Sequence, residues 1–166
     1  MSSFAKMVVH HRGVKGTISA GAAPSILEVD DTVSLEFIVR WIGAARKGKL
    51  IDHLIFVCHG RPGLATIGTY ALGLSDVKKF APLHGCFTRT GLWDFRACAL
   101  AGSAEGERLC SELARTCRCF VRASPTTEYY VDLPLRGINP EMAWDGHPIV
   151  FDPIGGRHSQ LRIPGP

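Results

Sequence analysis

Leu54-Ile55-Phe56-Val57-Cys58 is an unbroken apolar run, and His59-Gly60-Arg61-Pro62-Gly63 stops it abruptly. A run this short, bounded by turn residues, is a strand. With no polar residue on alternate positions, it must be covered on both faces, as strands of parallel sheets are. The rest of the chain fits such a sheet. Lys6-Met7-Val8-Val9-His10 is short and β-branched and is closed by Arg12-Gly13, which predicts a first strand. The segment from Gly13 to Pro24 is Gly-rich and reads as a long loop. From Ser34 the apolar residues Leu35, Ile38, Val39, Trp41, Ile42 and Ala45 have helical spacing, with Asp30, Asp31 or Thr32 as the expected cap.

Leu64 to Leu72 reads as a short extended excursion, and Ser75 to Leu83 as a helix capped by Ser75. Gly91 to Arg96 is a strand running into Ala97-Cys98-Ala99. Ala104 to Cys117 is an amphipathic helix with Leu109, Cys110, Leu113 and Ala114 inward. Cys119 to Ser124 is the next strand. Glu128 to Leu133 and Pro148 to Phe151 are expected to be later strands, and the tail after Pro153 is expected to be loose. Strands and helices that alternate in this way predict a three-layer α/β sandwich with a mostly parallel central sheet. The 166 residues fit one core at about 100–200 residues per domain. We place that domain at residues 1–153 and the tail at 154–166.

Composition narrows the function classes. At 46% hydrophobic and 20% charged residues, the chain is too apolar for a disordered protein. The net charge of +4 is spread along the chain, which argues against a nucleic-acid or lipid-surface partner. No apolar stretch is long enough for a membrane-spanning helix. Met1 to His11 lacks the apolar core and small-residue cleavage site of a signal peptide, so a reducing cytoplasm is the expected location. The six cysteines are then expected to be thiols, most of them buried as small hydrophobes.

Chemistry in such sheets gathers beyond the carboxyl ends of the strands. The predicted strands end in His10-His11-Arg12-Gly13, Cys58-His59-Gly60, Arg96-Ala97-Cys98 and Ala123-Ser124-Pro125. A histidine and a cysteine at two strand ends are the parts of a thiol nucleophile with its base.

The pair Leu54-Ile55-Phe56-Val57-Cys58-His59-Gly60 and Trp93-Asp94-Phe95-Arg96-Ala97-Cys98 resembles the caspase-like (clan CD) cysteine peptidases. That group includes caspases, metacaspases, legumains, gingipains and bacterial CHAT-type proteases. Arg96-Ala97-Cys98 looks like the Gln-Ala-Cys of caspases, with Arg in place of Gln. Ala101-Gly102 and the stretch from Gly106 to Ser124 are similar to an uncharacterised bacterial caspase-like domain. The resemblance covers roughly residues 52–124. It implies a caspase-like fold and a cysteine endopeptidase with Cys98 as nucleophile and His59 as general acid–base. The N–H groups of Gly60 and Cys98 would form the oxyanion hole, with no metal and no cofactor. It further implies that Arg96 and Arg12 line a pocket for an acidic P1 residue, the one before the cleaved bond. Asp94 is expected to lie away from that pocket. The partner would be a protein or peptide substrate, with a partner protein or a homodimer as a further expectation.

Two other readings use the same parts. A caspase-like module without activity would serve as an interaction scaffold. An α/β-hydrolase would need a strained turn at Cys98 and partners such as Asp132 and His147, but Arg96 and Leu100 are too large for its flanking positions. Cys117-Arg118-Cys119 lacks a second pair at zinc spacing, and His10-His11 reads as a strand end. The Gly-rich loop lacks the Gly-Lys-Ser/Thr of a phosphate loop.

Overall fold

The computed structural model describes residues 4–14, 25–127 and 148–159. In chain order these residues form β1 (Ala5–His11), β2 (Ser25–Val29), α1 (Leu35–Ala45), β3 (Ile51–Val57), β4 (His59–Arg61), β5 (Leu64–Ile67) and β6 (Tyr70–Leu72). A 3-10 segment (Leu74–Leu83), β7 (Phe87–Arg96), α2 (Ala104–Cys117), β8 (Phe120–Ala123), β9 (Ile149–Phe151) and β10 (Arg157–His158) follow. Seven strands make one sheet in the order β10-β9-β8-β7-β3-β1-β2, and β4-β5-β6 make a small second sheet. From β2 to β8 the main sheet is parallel. β9 and β10 extend it antiparallel. The fold is therefore a mixed α/β architecture on a mostly parallel sheet. Among the described residues, no helix is long and apolar enough to cross a membrane.

The large core lies on one face. Leu35, Ile38, Val39 and Ile42 of α1, Phe80 and Leu83 of the 3-10 segment, and Leu109, Cys110 and Leu113 of α2 cluster with Leu54, Phe56, Trp93, Phe95 and Val121. Trp93 is its centre. It stacks on Phe95 at 4.9 Å and meets Phe56 and Phe80 at 5.0 Å, in the offset and edge contacts that aromatic rings prefer. The opposite face is also buried. It carries Val8, Ile55, Val57 and Val14, together with the polar residues His10, Asp94 and Arg96.

Several boundaries differ from the sequence expectation. α1 is capped by Ser34, whose Oγ accepts from the Phe37 N–H at 3.1 Å. Asp30 instead folds back on Thr32, accepting from its N–H at 2.9 Å, so the helix starts later than an Asp30, Asp31 or Thr32 cap would put it. Ser75 is not a cap either. Gly73 opens the 3-10 segment, its N–H donating to Asp76 Oδ2 at 3.0 Å. Pro82 lies inside that segment, where it has no N–H for an α-helical ladder. β2 has no counterpart among the expected elements. Its Ser-Ile-Leu-Glu-Val alternates between partly buried and exposed at the sheet edge, leaving Ile26 exposed. Strand pairing also continues past Pro153, because Arg157 and His158 pair with β9. The expected strand at Glu128–Leu133 and most of the Gly-rich loop lie outside the described residues.

The strand order reverses between β1 and β3. The chain steps from β1 outward to β2, then returns past β1 to β3 and continues to β7 and β8. In open α/β sheets, the crevice beyond the carboxyl ends at such a reversal is where ligands bind. The ends of β1, β3 and β7 carry Gly13, His59 and Cys98 to this edge.

Candidate functional site at the carboxyl edge of the sheet

β3 and β7 run side by side, with Val57 opposite Arg96. The Cys58 N–H extends the pairing by donating to Arg96 O at 3.2 Å. Two residues further on, the two segments touch backbone to backbone. A Cβ built on Gly60 would lie 2.5 Å from Cys98 O and 2.9 Å from both Cys98 N and Ala97 Cβ. Real side chains do not tolerate such distances, so glycine is required by this close approach. The contact seats β4 against the Cys98 peptide and sets His59 beside it.

Pairing within the small sheet aims the Gly60 N–H. Arg61 and Leu64 flank the two-residue turn Pro62-Gly63, in which Gly63 has φ 79°. A pair that closes such a turn exchanges hydrogen bonds. Gly60, opposite Ala65, is then at a non-hydrogen-bonded position, and its N–H points away from β5.

His59 is exposed, and among the described residues its ring has one hydrogen-bond contact. Nε2 lies 3.0 Å from Gly13 O. A carbonyl can only accept, so Nε2 carries the proton and Nδ1 keeps the lone pair of the neutral ring. The base nitrogen of this tautomer is therefore Nδ1.

Cys98 is half-buried, whereas the other five cysteines are buried, and none of the six is in a disulfide. Burial pushes the Cys58, Cys110 and Cys117 thiols up to about 12, and it raises Cys119 as well. Such thiols have almost no thiolate at neutral pH and are inert as nucleophiles. The turn that follows Cys98 is anchored twice. The Ala99 N–H donates to Thr126 O at 2.7 Å and the Ala101 N–H to Ser124 O at 3.0 Å. Ala99 sits in the left-handed region at φ 50°, a sharp turn that a Cβ-bearing residue rarely adopts. Ser103 then caps α2 by accepting from the Gly106 N–H at 3.0 Å.

The arginines assigned to an acidic pocket have other surroundings. Arg96 is 1% exposed, and its Nε and Nη2 both lie 3.1 Å from Asp94 Oδ2. Asp94 does not lie apart from Arg96. Residues two apart share a face of a strand, and Asp94 and Arg96 do so on β7. Arg122 on β8 donates through Nε to Asp94 Oδ1 at 3.1 Å, and His53 Nε2 is 3.4 Å from Asp94 Oδ2. Burial alone would raise the Asp94 carboxyl. The charge of Arg96 and the hydrogen bonds from His53 and Arg122 outweigh it and hold the carboxyl well below the usual carboxylate range. The Arg96 charge is thus already matched by a buried carboxylate. Arg12 is exposed at the end of β1, with Nε 3.5 Å from Glu28 Oε2.

The structure therefore brings Cys98, His59 and Gly60 to one edge and adds Gly13, which sequence reasoning passes over as loop. Nothing in the residue type of Gly13 marks a backbone acceptor. Only the β1–β3 adjacency does. Asp132 and His147, the partners an α/β-hydrolase would use, lie outside the described residues. Among the described residues, no three His, Cys, Asp or Glu side chains are grouped to hold a metal.

The Gly60 contact leads to a direct prediction. Gly60→Ala must displace the Cys98 peptide or β4. The expected loss is about 1–3 kcal/mol of stability, as for other overpacked sites, read as a lower urea midpoint. Cys98 reactivity should fall with it. A Gly60→Ala variant with unchanged midpoint and unchanged Cys98 reactivity would show that the two backbones are not in contact. Comparison of the chain with protein-family models finds no match, and comparison with curated proteins finds none.

Proposed function

We propose that this chain is a caspase-like cysteine endopeptidase with a Cys98–His59 dyad. The observation that carries the reading is the Gly60–Cys98 backbone contact. It joins the histidine-bearing turn to the cysteine-bearing turn at the strand-order reversal, the place where doubly wound sheets hold their ligands. Two further features support it. The His59 tautomer leaves Nδ1 as base, and Cys98 is half-buried where the other five cysteines are buried.

The chemistry follows from those groups. His59 Nδ1 takes the Cys98 thiol proton, and the sulfur adds to the scissile carbonyl carbon, forming a C–S bond. The carbonyl oxygen becomes an oxyanion, which the Gly60 and Cys98 N–H groups receive. Collapse of that intermediate breaks the C–N bond, and the imidazolium gives its proton to the leaving amine. His59 then deprotonates a water molecule, which attacks the thioester. The second collapse releases the carboxyl product and restores Cys98.

The acidic P1 preference now rests on Arg12. Its partner Glu28 is an exposed carboxylate, and exposed pairs contribute at most about 1 kcal/mol. A substrate carboxylate can displace Glu28, whereas it cannot displace the buried Asp94 from Arg96. A fluorogenic peptide library varied at P1 tests the proposal. Cleavage after Asp or Glu, absent in Cys98→Ala and reduced selectively for these residues in Arg12→Ala, is the expected result. Cleavage confined to Arg or Lys sites would overturn the preference. No cleavage of any member would overturn the peptidase assignment.

A further inference from the structure

We propose that His11, held by Asp31, is a positioning residue for His59 that acts through the backbone of Gly13. This rests on the dyad reading and deepens it. The contacts form a chain of three links. Asp31 Oδ1 lies 3.1 Å from His11 Nε2, the Gly13 N–H donates to His11 Nδ1 at 3.2 Å, and Gly13 O accepts from His59 Nε2 at 3.0 Å. The roles of the His11 nitrogens are fixed by their partners. Nδ1 must be unprotonated to accept, so the ring proton is on Nε2 and faces the carboxylate.

The two ends of this chain differ in rigidity. His11 is the last residue of β1, buried and paired with Val29 of β2. Gly13 lies in the turn beyond it, has no side chain to hold its own peptides, and is exposed. A Cβ on Gly13 would lie 3.2 Å from His11 Nδ1 and 3.8 Å from His59 Nε2, so the two rings flank its backbone closely. The Arg12 N–H donates to Val29 O at 2.9 Å, and the Val14 N–H donates to His11 O at 3.0 Å. With the turn pinned there, the His11 ring sets the Gly13 peptide, and the Gly13 carbonyl sets the tautomer of His59.

A proton on His11 Nδ1 would replace an acceptor by a donor facing the Gly13 N–H. The Gly13 peptide must then turn away, and the carbonyl that holds His59 is lost. Among the described residues, the charged and titratable groups around His11 are Asp30 and Asp31 after β2, His10 and Arg12 beside it in the chain, and His59 across Gly13; Glu28 on β2 faces His10. The two aspartates favour the charged ring, and His10, Arg12 and a charged His59 oppose it. Protonation of the His11 ring would therefore break the contact chain that reaches His59.

Two variants separate the acceptor from the titration. His11→Asn keeps an acceptor near the Nδ1 position and cannot gain a proton. His11→Leu has no acceptor. The expected result is that His11→Asn stays active and shows a shallower acid limb in kcat/KM than the natural chain. His11→Leu should lose about 10- to 100-fold in kcat with little change in KM, the cost of a misplaced catalytic group. The ¹⁵N spectrum of the His59 ring gives a readout independent of turnover. It should report Nε2–H in the natural chain and in His11→Asn, and a mixture of tautomers in His11→Leu. An unchanged His59 tautomer in His11→Leu would overturn the inference, as would an unchanged acid limb in His11→Asn. A shifted tautomer in a chain that hydrolyses no peptide would support the contact chain and sink the peptidase reading alone.

Discussion

Replacing His59 by Ala is expected to lower kcat/KM by about 10²- to 10⁴-fold, the usual contribution of a positioned general acid–base group. Cys98→Ala should abolish turnover altogether. Neither loss should be accompanied by unfolding. His59 is exposed, and among the described residues its ring makes one hydrogen bond, to a loop carbonyl. Cys98 is half-buried, and a cysteine-to-alanine change there removes a single sulfur. Thermal melts of both variants should coincide with that of the natural chain. The same change at Cys58 should have the opposite profile. Cys58 is buried in the core at the end of β3 and its thiol is pushed up to about 12, so Cys58→Ala should cost stability and leave the thiol chemistry in place. Hydrolysis that survives in Cys98→Ala would move the nucleophile elsewhere.

The largest expected effect on stability is at Asp94. It is fully buried beneath the site, and Arg96, Arg122 and His53 all converge on its carboxylate. Removing one partner of a buried ion pair costs about 3–5 kcal/mol, because the other charge is left uncompensated. Arg96, 1% exposed, would be that charge. Asp94→Ala should therefore lower Tm by roughly 6–20 °C, at about 2–4 °C per kcal/mol for a chain of this size. The carboxyl also gives stability a pH dependence of definite sign. Its folded pKa lies below the unfolded value, which is near 3.9. The stabilisation is then complete above about pH 5 and is lost as the pH falls through the folded value. Urea midpoints for the natural chain should fall steeply from pH 5 downward, and those of Asp94→Ala should fall less. Parallel pH curves for the two proteins would mean that Asp94 is not the carboxylate that couples folding to pH.

The legible parts of the sequence are those where one-dimensional pattern and structure coincide. The apolar run before His59 is β3, and the Leu109, Cys110, Leu113, Ala114 spacing is the buried face of α2. The order His-Gly, then Ala-Cys, brings Cys98, His59 and Gly60 forward as one group, and they lie at one edge. Other features depend on contacts that a linear pattern does not carry. β2 is an edge strand, half polar, and its alternation is as short as that of a loop. Arg96 reads as a pocket residue only if Asp94 faces elsewhere, whereas positions two apart on a strand share a face. Arg122, which completes the pairing, comes from the neighbouring strand β8. Gly13 and His11 act through a backbone carbonyl and a backbone N–H, groups that nearly every residue type offers equally. The expected helix is a 3-10 segment over its whole length, Leu74–Leu83, and it contains Pro82, a breaker present in the sequence but masked by the apolar spacing around it.

The dyad is tested most directly by the rate at which a thiol-directed peptidyl reagent alkylates each cysteine, mapped by mass spectrometry at neutral pH. Cys98 should react far faster than Cys58, Cys86, Cys110, Cys117 and Cys119, and His59→Ala should remove that advantage while leaving the other five rates unchanged. Equal reactivity of all six thiols, or a Cys98 rate indifferent to His59, would contradict it.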